Sequence, residues 1–122
     1  FEPQLLWETQ VNKDRYYAAS VPDNGIIYCV TQVGVFSAID ATNGQVLYEQ
    51  KLQLPPAMYP AVTLAGNLLY VSNEKGTTVL VKPGRQYEEV GRLTLEPFRC
   101  CPVFAGSRVY IRTLKSLFCL GQ

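Results

Sequence analysis

The chain has 122 residues, of which 48% are hydrophobic and 17% are charged, and its formal net charge is +1. This composition is ordinary for one globular domain and excludes a disordered chain. The small net charge gives no basic footprint for nucleic acid, and no run of about 18 apolar residues is present to span a membrane.

Short β-branched and aromatic runs follow one another along the chain, separated by Gly, Asn, Asp and Pro, and no helical periodicity interrupts them. Before the first complete unit, a strand is predicted at 5–11. The first unit is predicted to hold strands at 16–21, 26–31, 35–40 and 45–52. The second is predicted to hold strands at 60–64, 68–72, 77–82 and 87–95. The third is predicted to hold strands at 99–104, 108–113 and 116–120.

These strands recur with a period near 41 residues. Leu6-Trp7-Glu8 returns as Leu47-Tyr48-Glu49, and Ile27-Tyr28 returns as Leu69-Tyr70 and again as Val109-Tyr110. Four short antiparallel strands repeated at this interval are typical of the blades of a β-propeller. The sequence therefore predicts an all-β fold.

The third unit lacks a fourth strand, but segment 5–11 matches the fourth strand of the first unit in register. We therefore predict one propeller segment over 1–122, made of three four-stranded antiparallel blades. The blade repeats are expected at 12–54, 55–96 and 97–122, with the strand at 5–11 completing a blade.

Two phrases resemble the repeat of pyrroloquinoline-quinone-type (PQQ-like) propellers. The run Ile39 to Tyr48 resembles the signature A-x-D-x-x-T-G-x-x-x-W, and Trp7 looks like the same terminal aromatic from the preceding repeat. The run Cys101 to Tyr110 resembles the opening S-P-V-x-x-G-x-x-Y. The last residues resemble the final blade of bacterial proteins of this class, so the resemblance implies a bacterial, periplasmic or secreted protein. The second unit departs from the pattern and has Val90 at the aromatic position.

The aromatic residues of the repeat are expected to pack between blades, because a repeated ring answers a repeated structural need. This expectation covers five residues: Trp7, Tyr28, Tyr48, Tyr70 and Tyr110.

Propellers close with about four to eight blades, so three blades are expected to leave open faces and an unpaired strand edge. Our hypothesis is self-association into a closed ring, most simply six blades from two chains. Segment 5–11 of one chain would then pair with segment 116–120 of its neighbour. The alternative is a C-terminal piece of a longer propeller. The start at Phe1 without methionine indicates a processed product or an excised fragment.

Two functions from different classes remain open. The first is a non-catalytic propeller module for protein–protein interaction or assembly, with a second copy of itself and a protein ligand as partners. The second is a fragment of a quinoprotein dehydrogenase, for which the resemblance implies a quinone and calcium. The adjacent pair Cys100-Cys101 resembles the cysteine pair that some quinone-dependent alcohol dehydrogenases carry beside the cofactor, which favours the second function. The ten acidic residues of the chain are dispersed and histidine is absent, which favours the first.

We therefore predict no enzyme activity, no cofactor, and no catalytic, cofactor-binding or metal-binding residues. The four cysteines lie in apolar runs and are expected to be buried free thiols. Lys82, Arg85 and Arg92 are expected to form a solvated loop rim rather than a phosphate site. Three turns, expected to join first and second strands at the rims, are the candidate binding loops: Asp23-Asn24-Gly25, Asn73-Glu74-Lys75 and Ala105-Gly106-Ser107.

Overall fold

The structure is a computed structural model that describes residues 1–121, and its regular elements are all β-strands. They form three antiparallel sheets, which we number as blades in chain order. Blade 1 contains β1 (Val21–Asp23), β2 (Ile26–Val30), β3 (Val35–Asp40) and β4 (Val46–Lys51). Blade 2 contains β5 (Thr63–Ala65), β6 (Leu68–Ser72), β7 (Thr77–Val81) and β8 (Glu89–Thr94). Blade 3 contains β9 (Val103–Ala105), β10 (Arg108–Arg112) and β11 (Leu117–Gly121).

The predicted all-β class and the antiparallel blades are confirmed, with four, four and three strands. In each blade, a two-residue turn joins the first strand to the second. In blade 1, Asn24 and Gly25 both have positive φ, at 45° and 76°, which is the backbone that a tight hairpin needs. The described residues contain no helix that is long and apolar enough to cross a membrane.

The blades share one register, so equivalent positions can be read across them. Tyr28 pairs with Ala38 in blade 1, and Tyr110 pairs with Cys119 in blade 3. In blade 2, the corresponding tyrosine pairs with Leu80. The third and fourth strands of blades 1 and 2 also carry the same register shift, after Ala38 and after Leu80.

The main hydrophobic core lies between blades 1 and 2. Tyr28, Phe36 and Ala38 face it from blade 1 and are fully buried, as are Leu69 and Val79 from blade 2. Burying one large apolar side chain contributes about 1.5–3 kcal/mol to folding. Blade 3 packs on blade 2 through a smaller contact in which the Tyr70 and Phe104 ring centroids are 4.7 Å apart.

The first strand of each blade is shorter and begins later than predicted. Strands were expected at 16–21, 60–64 and 99–104, whereas β1, β5 and β9 have three residues each. Part of the preceding residues bond across blades instead of extending these strands: the Val62 N–H donates to the Ala19 carbonyl at 3.1 Å. Such long-range bonds leave no local sequence signal.

The predicted strand at 5–11 is also not a strand in the structure, because the segment has no ladder partner within residues 1–121. The Trp7 side chain instead holds this segment against blade 1.

Candidate functional site

Trp7 fixes the N-terminal segment against blade 1. Its indole Nε1 donates a hydrogen bond of 2.9 Å to the Ala41 carbonyl. The ring lies on Gly44, where a Cβ would approach the Trp7 ring to 2.6 Å. Gly44 has a φ of +76°, so it serves both the turn and the close approach of the indole.

An equivalent contact joins blade 1 to blade 2. Tyr48, at the repeat position of Trp7, meets Tyr87 of blade 2 with ring centroids 6.0 Å apart in an edge-to-face arrangement. Burial raises the pKa of Tyr48, and its hydroxyl oxygen is buried. Because Tyr48 belongs to a fourth strand, Trp7 stands where the fourth strand of a blade before blade 1 would lie.

A second aromatic contact also links blades 1 and 2: the Tyr28 hydroxyl accepts a 2.9 Å hydrogen bond from the Gly84 N–H. Together with the Tyr48 and Tyr70 contacts, this confirms the predicted inter-blade role for three of the five aromatic residues. Trp7 packs on blade 1, but from a segment that belongs to no sheet within residues 1–121. Tyr110 has no further blade to contact within residues 1–121, and it is half-buried.

Blade 3 presents an open edge and an open face. Within the described residues, β11 pairs only with β10. Positions that blade 1 buries are exposed in blade 3. Phe36 is fully buried, whereas the equivalent Leu117 is 66% exposed. An exposed apolar strand edge of this kind is a template for pairing with another strand.

The expectation of four buried thiols is wrong for three of them. All four cysteines are free, but only Cys29 is buried, whereas Cys100, Cys101 and Cys119 are exposed. Burial raises the pKa of Cys29 to about 11. Cys119 stands at the position of the fully buried Ala38, so its exposure follows from the open face of blade 3.

Three side chains at one repeat position form a continuous row on the inner side of the blades. We call this row, Tyr17, Tyr59 and Arg99, the inner stack. The rings of Tyr17 and Tyr59 stack with centroids 5.2 Å apart. The Arg99 guanidinium lies over the Tyr59 ring at 5.0 Å, within the range of a cation–π interaction.

Glu74 holds Arg99 in this position. The Arg99 Nε and Nη2 donate to one carboxylate oxygen at 3.1 and 2.8 Å. Burial opposes ionisation of Glu74, but the Arg99 hydrogen bond and the Ala57 N–H outweigh it and lower the pKa of Glu74. The guanidinium is therefore oriented before any further partner arrives.

The three candidate binding loops do not share one rim. Turns 23–25 and 105–107 do join first and second strands, but Asn73-Glu74-Lys75 joins β6 to β7. It is thus a turn between a second and a third strand, and it lies beside the segment that precedes the first strand of its own blade. The Glu74 N–H donates to the carbonyl of Ala57 in that segment at 2.8 Å. In blade 3, the equivalent Leu114 N–H donates to the Pro97 carbonyl at 3.2 Å.

An open cleft of about 480 Å³ lies on this rim between blades 2 and 3. It is lined by Glu74, Lys75, Pro97, Phe98, Arg99 and Leu114. Within the described residues, no three acidic or cysteine side chains converge as a metal-ligand group.

The basic cluster predicted as a solvated rim is solvent-exposed and also forms ion pairs. Each of the three cations contacts a carboxylate: Lys82–Glu88 at 3.5 Å, Arg85–Asp40 at 3.0 Å and Arg92–Glu89 at 2.6 Å. The Thr42 hydroxyl, the Thr42 N–H and Arg85 lower the pKa of Asp40 to about 2. Neutralised in this way, the cluster does not form a concentrated anion site.

The three antiparallel sheets and the docked Trp7 define a set of β-propeller blades. The chain is similar to BamB from Moraxella catarrhalis, with a TM-score of 0.77 and 16% identity over 95% of this chain and 36% of that one. It is also similar to the quinohemoprotein alcohol dehydrogenase from Comamonas testosteroni, with a TM-score of 0.66 and 20% identity over 80% of this chain and 17% of that one.

A third similar structure is the computationally designed Ika8 protein, with a TM-score of 0.70 and 15% identity over 98% of this chain and 37% of that one. The chain thus spans well under half the length of these proteins. No protein-family sequence model matches the chain, and no curated protein matches it either. The three similar structures confirm the propeller fold that the PQQ-like resemblance in the sequence implies.

Sequence reasoning did not single out the inner stack. Its members differ in residue type, and a tyrosine and an arginine share no motif. The signal was nevertheless present in the spacing, since Tyr17, Tyr59 and Arg99 follow one another at the repeat steps of 42 and 40 residues.

Proposed function

We propose that the chain is a non-catalytic propeller module for assembly, which associates with copies of itself into a closed ring. Two chains give six blades, within the usual range for propellers. Segment 5–11 of one chain completes blade 3 of the next and restores its fourth strand. The observation that carries the proposal is the docking of Trp7 on blade 1, while segment 5–11 has no strand partner among residues 1–121.

The two unpaired parts of the chain are complementary. Segment 5–11 corresponds in sequence to β4, and β11 corresponds in register to β3. The Leu5 and Leu117 side chains are both highly exposed, so pairing removes apolar surface on both sides. A head-to-tail contact of this kind closes when the rotation per chain completes a circle.

The β3–β4 ladder fixes the register of the proposed pair. In blade 1, Phe36 lies opposite Gln50. The equivalent residues are Leu117 on β11 and Thr9 in the N-terminal segment. Leu117 of one chain is therefore opposite Thr9 of the partner subunit.

Disulfide cross-linking tests this register. The chain would carry Thr9→Cys and Leu117→Cys, with Cys100, Cys101 and Cys119 replaced by serine. Directly opposed strand residues have Cβ atoms about 4.5–5.5 Å apart, close enough for a disulfide after a small adjustment. We expect a covalent oligomer under mild oxidation, measured on a non-reducing gel and by mass spectrometry.

The matched control pairs Thr9→Cys with Phe118→Cys, because neighbouring residues on a strand point to opposite faces. It should cross-link much less. Sedimentation of the unmodified chain gives the association state directly. A monomer at tens of micromolar, with no cross-link from either pair, contradicts the proposal and favours a fourth strand supplied by another part of a longer chain.

The absence of catalysis is part of the proposal. Without histidine, the chain has no Ser–His or Cys–His pair. The two adjacent cysteines are engaged in structural hydrogen bonds: the Cys100 thiol donates to the Arg112 carbonyl at 2.8 Å, and Cys101 Sγ accepts from the Ala61 N–H at 3.3 Å. Bound quinone or stoichiometric calcium in the purified protein would favour the quinoprotein alternative.

A further inference from the structure

The inner stack has two unlike open ends. Tyr17 begins it and is 47% exposed, while Arg99 ends it with a side chain that is 66% exposed. Tyr59 separates the two, with one stacking contact on each side. The stack advances by one member per blade at an almost constant spacing of 5.2 and 5.0 Å.

We infer that Arg99 is a specificity residue for self-association, and that its open face is covered by Tyr17 of the partner subunit. This inference rests on the ring of the proposed function. The step after Arg99 in such a ring is the first blade of the next copy, and its residue at this repeat position is the partner's Tyr17. The guanidinium is then sandwiched between two tyrosine rings.

The chemistry of the two ends favours this contact over others. A guanidinium stacks on an aromatic face, whereas two guanidinium groups repel each other. Arg99 against Arg99 is therefore disfavoured, and the head-to-tail order of chains is selected. Glu74 fixes the plane of the guanidinium beforehand, so little side-chain entropy is lost on association.

Leu114 gives separate support for a second copy at this place. It occupies the turn position equivalent to Glu74, which contacts the inner-stack residue of the following blade. Blade 3 has no following blade within residues 1–121, and Leu114 is 72% exposed. The partner's Tyr17 therefore meets an apolar side chain on one side and a cation on the other.

A complementation experiment tests the contact. Tyr17→Leu removes the aromatic member of the contact and Arg99→Gln removes the cation. A ring of two identical variant chains therefore has no intact Tyr17–Arg99 pair. A mixed ring of the two variants keeps one complete Tyr17–Arg99 pair. With a coupling of about fivefold in affinity per pair, the mixed dimer should rise from the statistical half to about four-fifths of all dimers.

Native mass spectrometry of one isotope-labelled variant mixed with the other measures this fraction. Tyr17→Phe is the control because it keeps an aromatic ring at position 17, so its own dimer has two intact pairs and should match the unmodified one. Its mixture with Arg99→Gln should stay at the statistical half, because the one pair of the mixed dimer is the average of two pairs and none in the two homodimers. If Tyr17→Leu and Arg99→Gln still dimerise and their mixed dimer is half of all dimers, the inference is overturned but the proposed ring is not. An unmodified chain that stays monomeric overturns the ring and the inference together.

Discussion

Tyr28 and Gly84, 56 residues apart in sequence, meet at the interface between blades 1 and 2. The Tyr28 side chain is completely buried, and its hydroxyl is the acceptor for the Gly84 N–H. The ring also stacks with Phe36 at a centroid distance of 6.0 Å. One side chain therefore joins the core to a backbone group of the next blade.

Tyr28→Phe should lower the free energy of unfolding by about 1 kcal/mol, because it removes this bond and leaves the Gly84 N–H without its acceptor. Tyr48→Phe is the matched control, since the Tyr48 hydroxyl is buried with no hydrogen-bond partner within the described residues. Its removal should be neutral or stabilising. Urea unfolding measures both variants, and an equal loss of unfolding free energy in the two would contradict a stabilising role for the Tyr28–Gly84 hydrogen bond.

Gly44→Ala should detach the N-terminal segment, because the new Cβ would overlap the Trp7 ring. Gly25→Ala is the control: Gly25 has the same φ of +76°, but a Cβ there meets nothing within 4 Å. Both variants carry the backbone strain of a positive φ, about 1 kcal/mol. Only Gly44→Ala should lose roughly 1–2 kcal/mol more and shift the emission of Trp7, the single tryptophan, to longer wavelength. Unchanged emission would show that the indole is not held on Gly44.

Asp40 should make the stability depend on acid pH. Its pKa falls from 3.8 to about 2 on folding, through the Thr42 hydroxyl, the Thr42 N–H and Arg85. A carboxyl with a lowered folded pKa stabilises the fold above its unfolded pKa, and this contribution is lost as the pH falls from about 4 towards 2.

Asp40→Asn should therefore flatten the decline in unfolding free energy below about pH 4. Asp23→Asn, which removes a carboxylate that has no arginine partner within the described residues, is the control and should leave the decline as it is. Parallel acid profiles for the unmodified chain and Asp40→Asn would argue against a stabilising role for this carboxylate.

Ser72 and Thr78 should show strongly non-additive substitutions. Both are buried, and their hydroxyl oxygens lie 2.8 Å apart across β6 and β7. Ser72→Ala or Thr78→Val alone leaves one buried hydroxyl without its partner, at a cost of about 1–3 kcal/mol. The double variant removes both hydroxyls and should be less destabilised than the sum of the single losses. Additive thermal or urea data would count against the pair.

The blades were predictable because their determinants are local. The Asn24-Gly25 turn and the apolar runs of β2 and β3 each lie in a short stretch of sequence, and the repeat period shows that the same local pattern recurs. The boundaries of β1, β5 and β9 were not predictable, because bonds such as Val62 to Ala19 join different repeats. The apolar sequence around Cys119 likewise predicted that this residue is buried. It is exposed, because residues at this position are buried only where a further blade covers that face.

Of the two contacts that make up the candidate site, only the Trp7 contact could be predicted in part from the sequence. Trp7 could be recognised from its equivalence to Tyr48, but the docking partners Ala41 and Gly44 belong to a later turn. The inner stack depends on which side chains face inward just before each first strand. That orientation follows from the tertiary arrangement and not from a pattern within one repeat.

The uneven distribution of the core has a consequence for local opening. Every buried side chain of the main core cluster lies between residues 18 and 81, and the final sheet contributes none within the described residues. Opening free energies in native proteins follow buried apolar contact, so amide protons of β2, β3, β6 and β7 should exchange with deuterium slowest. Those of β10 and β11 should exchange first, and the C-terminal sheet is then the part of the chain that gains most rigidity from any neighbour that covers it.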